Sequence, residues 1–160
     1  MTVKLDRIDI NILSELMKNG RISNVRLSEH VGLSASPCIQ RVKRMEAAGI
    51  ISGYGAFLDL SKVSQPVTVF TEFTLSDHRR ELFSRFEQEM GRIPQVTECH
   101  LISGGYDYLV KFTARNVSDY HEIIEGLQDR NLGISQYFSY IVIKSPIERH
   151  AIPLKALMDD

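Results

Sequence analysis

Ser36, Gln40, Lys43 and Arg44 bring a hydroxyl, an amide, an ammonium and a guanidinium group together within nine residues of chain. On a helix turning roughly 100° per residue they gather on one side. Groups of these types in this pattern are suited to hydrogen bonding along base-pair edges. Gln can pair with adenine, Arg or Lys can reach guanine or a phosphate, and Ser can contact either. A second constellation is Gly104, Gly105, Tyr106 and Asp107. Glycines let backbone N–H groups approach a carboxylate. A carboxylate such as Asp107 can accept an ammonium group in a charge-assisted bond. A zwitterion needs both. Taken alone, this second cluster reads first as an ordinary hairpin turn.

The first set needs a helix, and the surrounding residues supply one. Over residues 24–31 Val25, Leu27 and Val31 are apolar among polar neighbours, the period of a short helix. Gly32 ends it, as a residue free to take positive φ does. Leu33 turns inward. Ser34 is a candidate N-cap, and Pro37 falls in the first turn of the next helix, where its missing N–H costs little. Ile39, Val42 and Met45 then form a buried stripe opposite the polar set. A helix placed this way after a tight turn suits the major groove of double-stranded DNA. The competing reading is a solvated amphipathic helix pair. Leu5, Ile8, Ile12 and Leu16 predict a preceding helix over residues 5–18, stopped by Asn19 and Gly20, with Asp6 and Asp9 at its positive end.

Charge and composition narrow the classes. The first 50 residues hold eight Lys/Arg against five Asp/Glu, and the rest of the 160-residue chain eleven against fifteen. A basic first module and an acidic remainder suit DNA binding at one end. The pI near 6.5 excludes a general polycation. No apolar run approaches the roughly 20 residues of a membrane span, and no signal-peptide core is visible. A cytoplasmic protein with no membrane partner is expected. Cys38 and Cys99 are read as buried thiols rather than a disulfide.

Residues 50–60 read as a strand-like connector or wing, followed by a linker over residues 61–66. Beyond it the period changes to two, with Val67, Val69, Thr71, Phe73 and Leu75 alternating. A helix carrying Leu82, Phe83, Phe86 and Met90 follows. Strands are predicted over residues 96–103 and 108–114, a helix with Tyr120, Ile123, Ile124 and Leu127, and a last strand over residues 136–143. The order β-α-β-β-α-β is the ferredoxin-like arrangement, with helices on one face of the sheet. The other face is expected to carry large groups such as Phe70 or Leu101 and to favour a homodimer. The expected division is residues 1–52 as a helix-turn-helix DNA-binding domain, 53–66 as connector, 67–145 as the ferredoxin-like regulatory domain and 146–160 as a C-terminal tail.

With LDRIDINIL (residues 5–13), RISNVRLSEHVGLSASPCIQRVKRMEAAGII (21–51) and ECHLISGGYDYLVKF (98–112), the chain resembles the leucine-responsive regulatory protein/AsnC family of bacterial and archaeal transcription regulators, and its leucine-responsive branch in particular. The resemblance covers almost the whole chain. It implies an α+β protein: an N-terminal winged helix-turn-helix domain and a C-terminal ferredoxin-like βαββαβ domain. It implies a nucleoid-associated regulator of amino-acid metabolism, assembled as a dimer and onward to an octamer. Its amino-acid effector, leucine or another, would bind at the interface between dimers, and no cofactor or metal is implied. Asn24, Ser34, Ser36, Pro37, Gln40, Arg41, Lys43 and Arg44 become the expected DNA-binding residues. Ser103, Gly104, Gly105, Tyr106, Asp107 and Tyr108 form the expected effector turn, its Gly-x-x-Asp pattern met at Gly104 and Asp107. Leu101, Val117, Tyr140, Ile141 and Val142 fall where the branch has residues implicated in effector response; their plain alternative is packing. Gly105 stands where the branch often has an acidic residue, and the segment ERHAIPL (148–154) looks more like branches that govern amino-acid catabolism.

Enzyme chemistry is not expected. Cys99 and His100 are adjacent on a strand and point to opposite faces, a poor geometry for a shared metal. Ser103 lacks the Gly-x-Ser-x-Gly elbow, and there is no phosphate loop. Two other readings stay open: a ligand-independent architectural DNA-organising protein, and a metabolic sensor acting through protein partners.

Overall fold

The structure is a computed structural model that describes residues 4–158. It divides into two compact units, one of residues up to Phe57 together with those from Pro146 onward, the other Leu58–Ser145. The expected C-terminal tail is therefore part of the first unit.

In the first unit, α1 (Arg7–Lys18), α2 (Asn24–His30) and α3 (Ala35–Ala47) enclose a small core of Ile12, Leu13, Leu27, Cys38, Val42 and Met45. Helix α1 starts two residues later than its apolar period suggested, because Asp6 is its N-cap. The Asp9 N–H donates to Asp6 Oδ1 at 2.8 Å and the Asp6 N–H to Asp9 Oδ2 at 3.1 Å, a reciprocal cap that satisfies two donors at the helix start. Gly32 takes φ +70 and turns the chain between α2 and α3. The buried stripe of α3 runs through Cys38, Val42 and Met45, with Ile39 half-buried beside it. Ser34 holds the N-cap position of α3 but makes no capping hydrogen bond through its side chain. Val25 is exposed rather than part of the core.

In the second unit, β1 (Val67–Leu75), α4 (Arg80–Met90), β2 (Val96–Leu101), β3 (Tyr108–Ala114), α5 (Val117–Gln128) and β4 (Ile134–Ile141) follow the β-α-β-β-α-β order. The four strands are antiparallel in the order β2-β3-β1-β4. Alternate residues of β1 and β3 face the helices: Val69, Phe73, Leu75, Tyr108, Val110 and Phe112 pack with Phe86, Met90, Tyr120, Ile124 and Leu127. Thr71 shares this face and is fully buried, its hydroxyl 2.7 Å from that of Tyr120, which also meets Ser139 at 2.5 Å. The register puts Phe70, Glu72, Leu109, Lys111, Phe138 and Tyr140 on the opposite, helix-free face. Leu101, opposite Tyr108, lies on the helix-bearing side instead, so the open face carries Phe70 but not Leu101.

The connector departs from expectation. Residues 52–59 form no strand, and a short 3₁₀ turn, Leu60–Lys62, follows. An extended segment without a partner strand leaves its backbone groups to water, so sequence composition alone does not make it a strand. Cys99 is exposed, not buried, because β2 is an edge strand. A last short helix, α6 (Leu154–Met158), belongs to the first unit; Leu154 packs on that unit's core, and His150 stacks on Phe57 with ring centroids 4.1 Å apart.

Candidate nucleic-acid interface and effector site

Helix α3 buries one stripe and turns the opposite side outward. Ser34, Ser36, Pro37, Gln40 and Lys43 are exposed along it, and Asn24 is exposed at the start of α2. Arg41 and Arg44 behave differently. Arg41 Nη1 donates to Asp6 Oδ2 at 2.6 Å and to Asp9 Oδ1 at 2.9 Å, and Arg44 Nη2 donates to Asp9 Oδ2 at 2.5 Å. Asp9 is fully buried, while the Arg41 and Arg44 side chains keep 27% and 47% of their surface. The Asp6 carboxyl is held below its usual range by the Asp9 N–H and by Arg41. Helical spacing places Arg44 beside Gln40 and Lys43, but its long side chain folds back toward a buried carboxylate. A buried charge is costly unless paired, and two guanidinium groups provide that pairing here.

The second candidate site is the β2–β3 connection. It is not a tight turn at Gly104 and Gly105 but a longer loop over residues 102–107, closed by the Ile102 N–H donating to the Asp107 carbonyl at 2.9 Å. Ser103, Gly104 and Gly105 are exposed, and Tyr106 is half-buried. Neither glycine adopts positive φ, and a Cβ added at either would meet nothing within 4 Å. Their smallness therefore leaves the backbone open to an approaching group rather than relieving strain. Asp107 is already engaged: Oδ2 accepts the Leu75 N–H at 2.7 Å, and Oδ1 lies 3.0 Å from His78 Nε2. Tyr108 is a core residue, 1% exposed, whose hydroxyl donates to Glu87 Oε1 at 2.8 Å; burial and that carboxylate push its pKa up.

The remaining expected effector residues do not join this loop. Val117 begins α5, Ile141 pairs with Val69, and the Val142 N–H donates to Thr68. Tyr108 pairs with Phe73, four residues further along β1, which is about 13 Å at 3.3 Å per residue. Tyr140 stands on the helix-free face with its hydroxyl 3.2 Å from Glu72 Oε2. The chain thus gathers residues 101–108 at one end of the sheet and Val117, Ile141 and Val142 at the other. Sequence reasoning placed Asp9 at a helix start but not in its pairing with Arg41 and Arg44, and it missed the approach of His78 to Asp107, for which no local signal exists. Among the described residues no group of three His, Cys, Asp or Glu could hold a metal ion, and no helix is long and apolar enough to cross a membrane.

Residues 5–52 match a model described as winged helix-turn-helix DNA-binding, and residues 68–152 match the Lrp/AsnC ligand binding domain. The chain is 43% identical over 143 residues to the transcriptional regulatory protein DoeX of Halomonas elongata, covering 89% of this chain and 90% of that protein. It is 39% identical over 151 residues to the leucine-responsive regulatory protein of Escherichia coli strain K12, covering 94% and 92%. A crystal structure of a Neisseria meningitidis transcriptional regulator in complex with L-Met superposes with a TM-score of 0.88 at 30% identity, covering 97% of this chain and all of that one. An AsnC family regulator from Agrobacterium tumefaciens gives the same TM-score at 28% identity, covering 96% of this chain and 100% of that one. With both domains matched and in the same order, the chain belongs to the Lrp/AsnC family of DNA-binding transcriptional regulators.

Proposed function

We propose that this regulator reads an operator with α3 and is modulated by a free amino acid bound at the β2–β3 loop. The observation that carries the DNA half is the division of α3: Cys38, Val42 and Met45 buried, Ser36, Gln40 and Lys43 exposed on the far side. Gln40 and Ser36 reach base edges, Lys43 contacts a phosphate or guanine, and Asn24, Ser34 and Pro37 line the sugar–phosphate approach. The effector half rests on open backbone at Gly104 and Gly105 beside the Asp107 carboxylate.

The two groups of effector-response residues lie about 13 Å apart along the sheet of one chain, by the rise per residue. A ligand the size of an amino acid touches both only where a second copy brings its other end alongside. That supports a site between dimers. The helix-free face, with Phe70, Phe138 and Tyr140, supports a homodimer, and an octamer is the larger assembly proposed. Effector binding changes DNA binding only if the two assembly states bind the amino acid with different affinity. The regulated genes would serve amino-acid metabolism, with the protein at the nucleoid.

The test is DNA binding by Gln40→Ala and Lys43→Ala on specific and unrelated duplexes. Gln40→Ala is expected to weaken the specific complex by about 1–3 kcal/mol, and Lys43→Ala to flatten the slope of log K against log salt by about 0.9. Unchanged affinity in both would remove α3 as the reading helix.

A further inference from the structure

The group of charges beneath α3 has a use that its packing role does not exhaust. Asp6, Asp9, Arg41 and Arg44 balance to zero, so α3 offers DNA fewer free cations than its sequence displays. Lys43, also on α3, is exposed and has no ion-pair partner among the described residues. We propose that Asp9 is a specificity-determining positioning residue: its buried carboxylate clasps Arg41 and Arg44 and withholds their charge from indiscriminate attraction to phosphates. The reading of sequence then falls to Ser36 and Gln40, with Lys43 the exposed cation beside them. This rests on α3 being the reading helix.

The geometry says which arginine Asp9 controls most. Each Asp9 oxygen is engaged: Oδ1 accepts Arg41, and Oδ2 accepts both Arg44 and the Asp6 N–H. Arg41 has a second carboxylate in Asp6, whereas Arg44 has Asp9 alone among the described residues. Asparagine at position 9 removes the negative charge, and Arg44, which has no second carboxylate among the described residues, is left with a neutral amide acceptor at most. Arg44, already half exposed, is then the cation that lets go. Its charge joins the DNA-facing side of α3. Neutralising one more phosphate steepens the salt slope by about 0.9 and raises nonspecific affinity on the order of tenfold near 0.1 M salt. Specific binding does not gain equally, because the added contact carries no sequence information.

The experiment measures salt-dependent binding of the full-length protein to its operator and to an unrelated duplex. Asp9→Asn is expected to bind the unrelated duplex more tightly, with a slope steeper by about 0.9 and a smaller ratio of specific to nonspecific affinity. In Asp9→Asn/Arg44→Gln the extra slope is expected to disappear. A merely structural role for Asp9 predicts loss on both duplexes alike with no added slope, and that result would overturn the proposal. If Asp9→Asn does not fold, Arg44→Gln alone decides: a withheld cation leaves the wild-type slope unchanged, and a slope reduced by about 0.9 refutes the clasp. Gln40→Ala on the same duplexes separates the two ways of failing. Unchanged specific affinity there removes the reading helix itself. A normal Gln40→Ala loss beside an unaltered Asp9→Asn slope removes only the clasp.

Discussion

Asp107 is the residue at which stability and the proposed amino-acid sensing can be pulled apart. The ladder between β1 and β4 shifts register between Thr74 and Leu75, and at that irregularity the Leu75 N–H turns to Asp107 Oδ2 at 2.7 Å. Leu75 is 4% exposed, so water cannot readily replace the acceptor. Asp107→Ala leaves a buried donor unpaired, at a cost of about 1–3 kcal/mol. The His78 contact adds little, because the His78 side chain is 69% exposed. A loss of about 2 kcal/mol in a unit of this size lowers Tm by roughly 10 °C. Asp107→Asn keeps an oxygen acceptor in the same place and loses only the charge. It is expected to stay within about 1 kcal/mol of wild type, since a neutral acceptor forfeits only part of a charge-assisted bond. The assay pairs urea unfolding of both variants with a thermal-shift panel of the free amino acids. Wild type should show a selective shift, and Asp107→Asn, folded and stable, should lose it. If Asp107→Asn is as destabilised as Asp107→Ala, the acceptor argument is wrong. If it responds to the same amino acid as wild type does, the carboxylate is not the ammonium partner.

Tyr120→Phe removes the hydroxyl shared by Thr71 and Ser139; with Thr71 fully buried, the loss is expected at about 1–2 kcal/mol, read as a lower urea midpoint at unchanged m-value. Acid should weaken both units. Asp6, beside the Asp9 N–H and Arg41, and Asp119, beside Arg115, both titrate below their usual 3.8. Depressed folded-state values give stability that is fully present above 3.8 and lost as pH falls through the lower folded values. Tm measured from pH 7 downward should therefore hold until about pH 4 and then drop, and Asp119→Asn should flatten the drop. Gly133 takes φ +69, and a Cβ there would lie 2.7 Å from Leu82 Cδ2. Gly133→Ala should cost about 2–3 kcal/mol, combining a left-handed backbone with displacement of Leu82, and a Leu82→Ala background should recover part of it in a double-mutant cycle.

Local signals carried the elements well. Tyr108 to Ala114 announces a strand by strict alternation, and Gly32 announces the turn that separates α2 from α3. What periodicity records is the direction of a Cβ, and that is where its information ends. Arg44 leaves α3 beside Lys43, yet its guanidinium travels back to a carboxylate 35 residues earlier in the chain. The face of Leu101 depended on a register shift between Val96 and Glu98 that no pattern in the strand reveals. Cys99 looked like a core thiol because thiols commonly are; its exposure follows from β2 lying at the sheet edge, a property of strand order. His78 meets Asp107 only because β1 and the β2–β3 loop end side by side. Val117 and Gly104 were grouped by resemblance, and only the strand register separates them within one chain.

The first unit is assembled from both ends of the described chain, with Leu154 on its core and His150 against Phe57. As the polypeptide leaves the ribosome, α1 to α3 emerge before the sheet, but Leu154, which packs on their core, emerges only after all four strands. A nascent chain holds every residue of the second unit before it holds every residue of the first. The same interleaving ties the segment after Pro146 to the DNA-binding unit: cutting it away would remove Leu154 from that unit's core and no residue from the sheet.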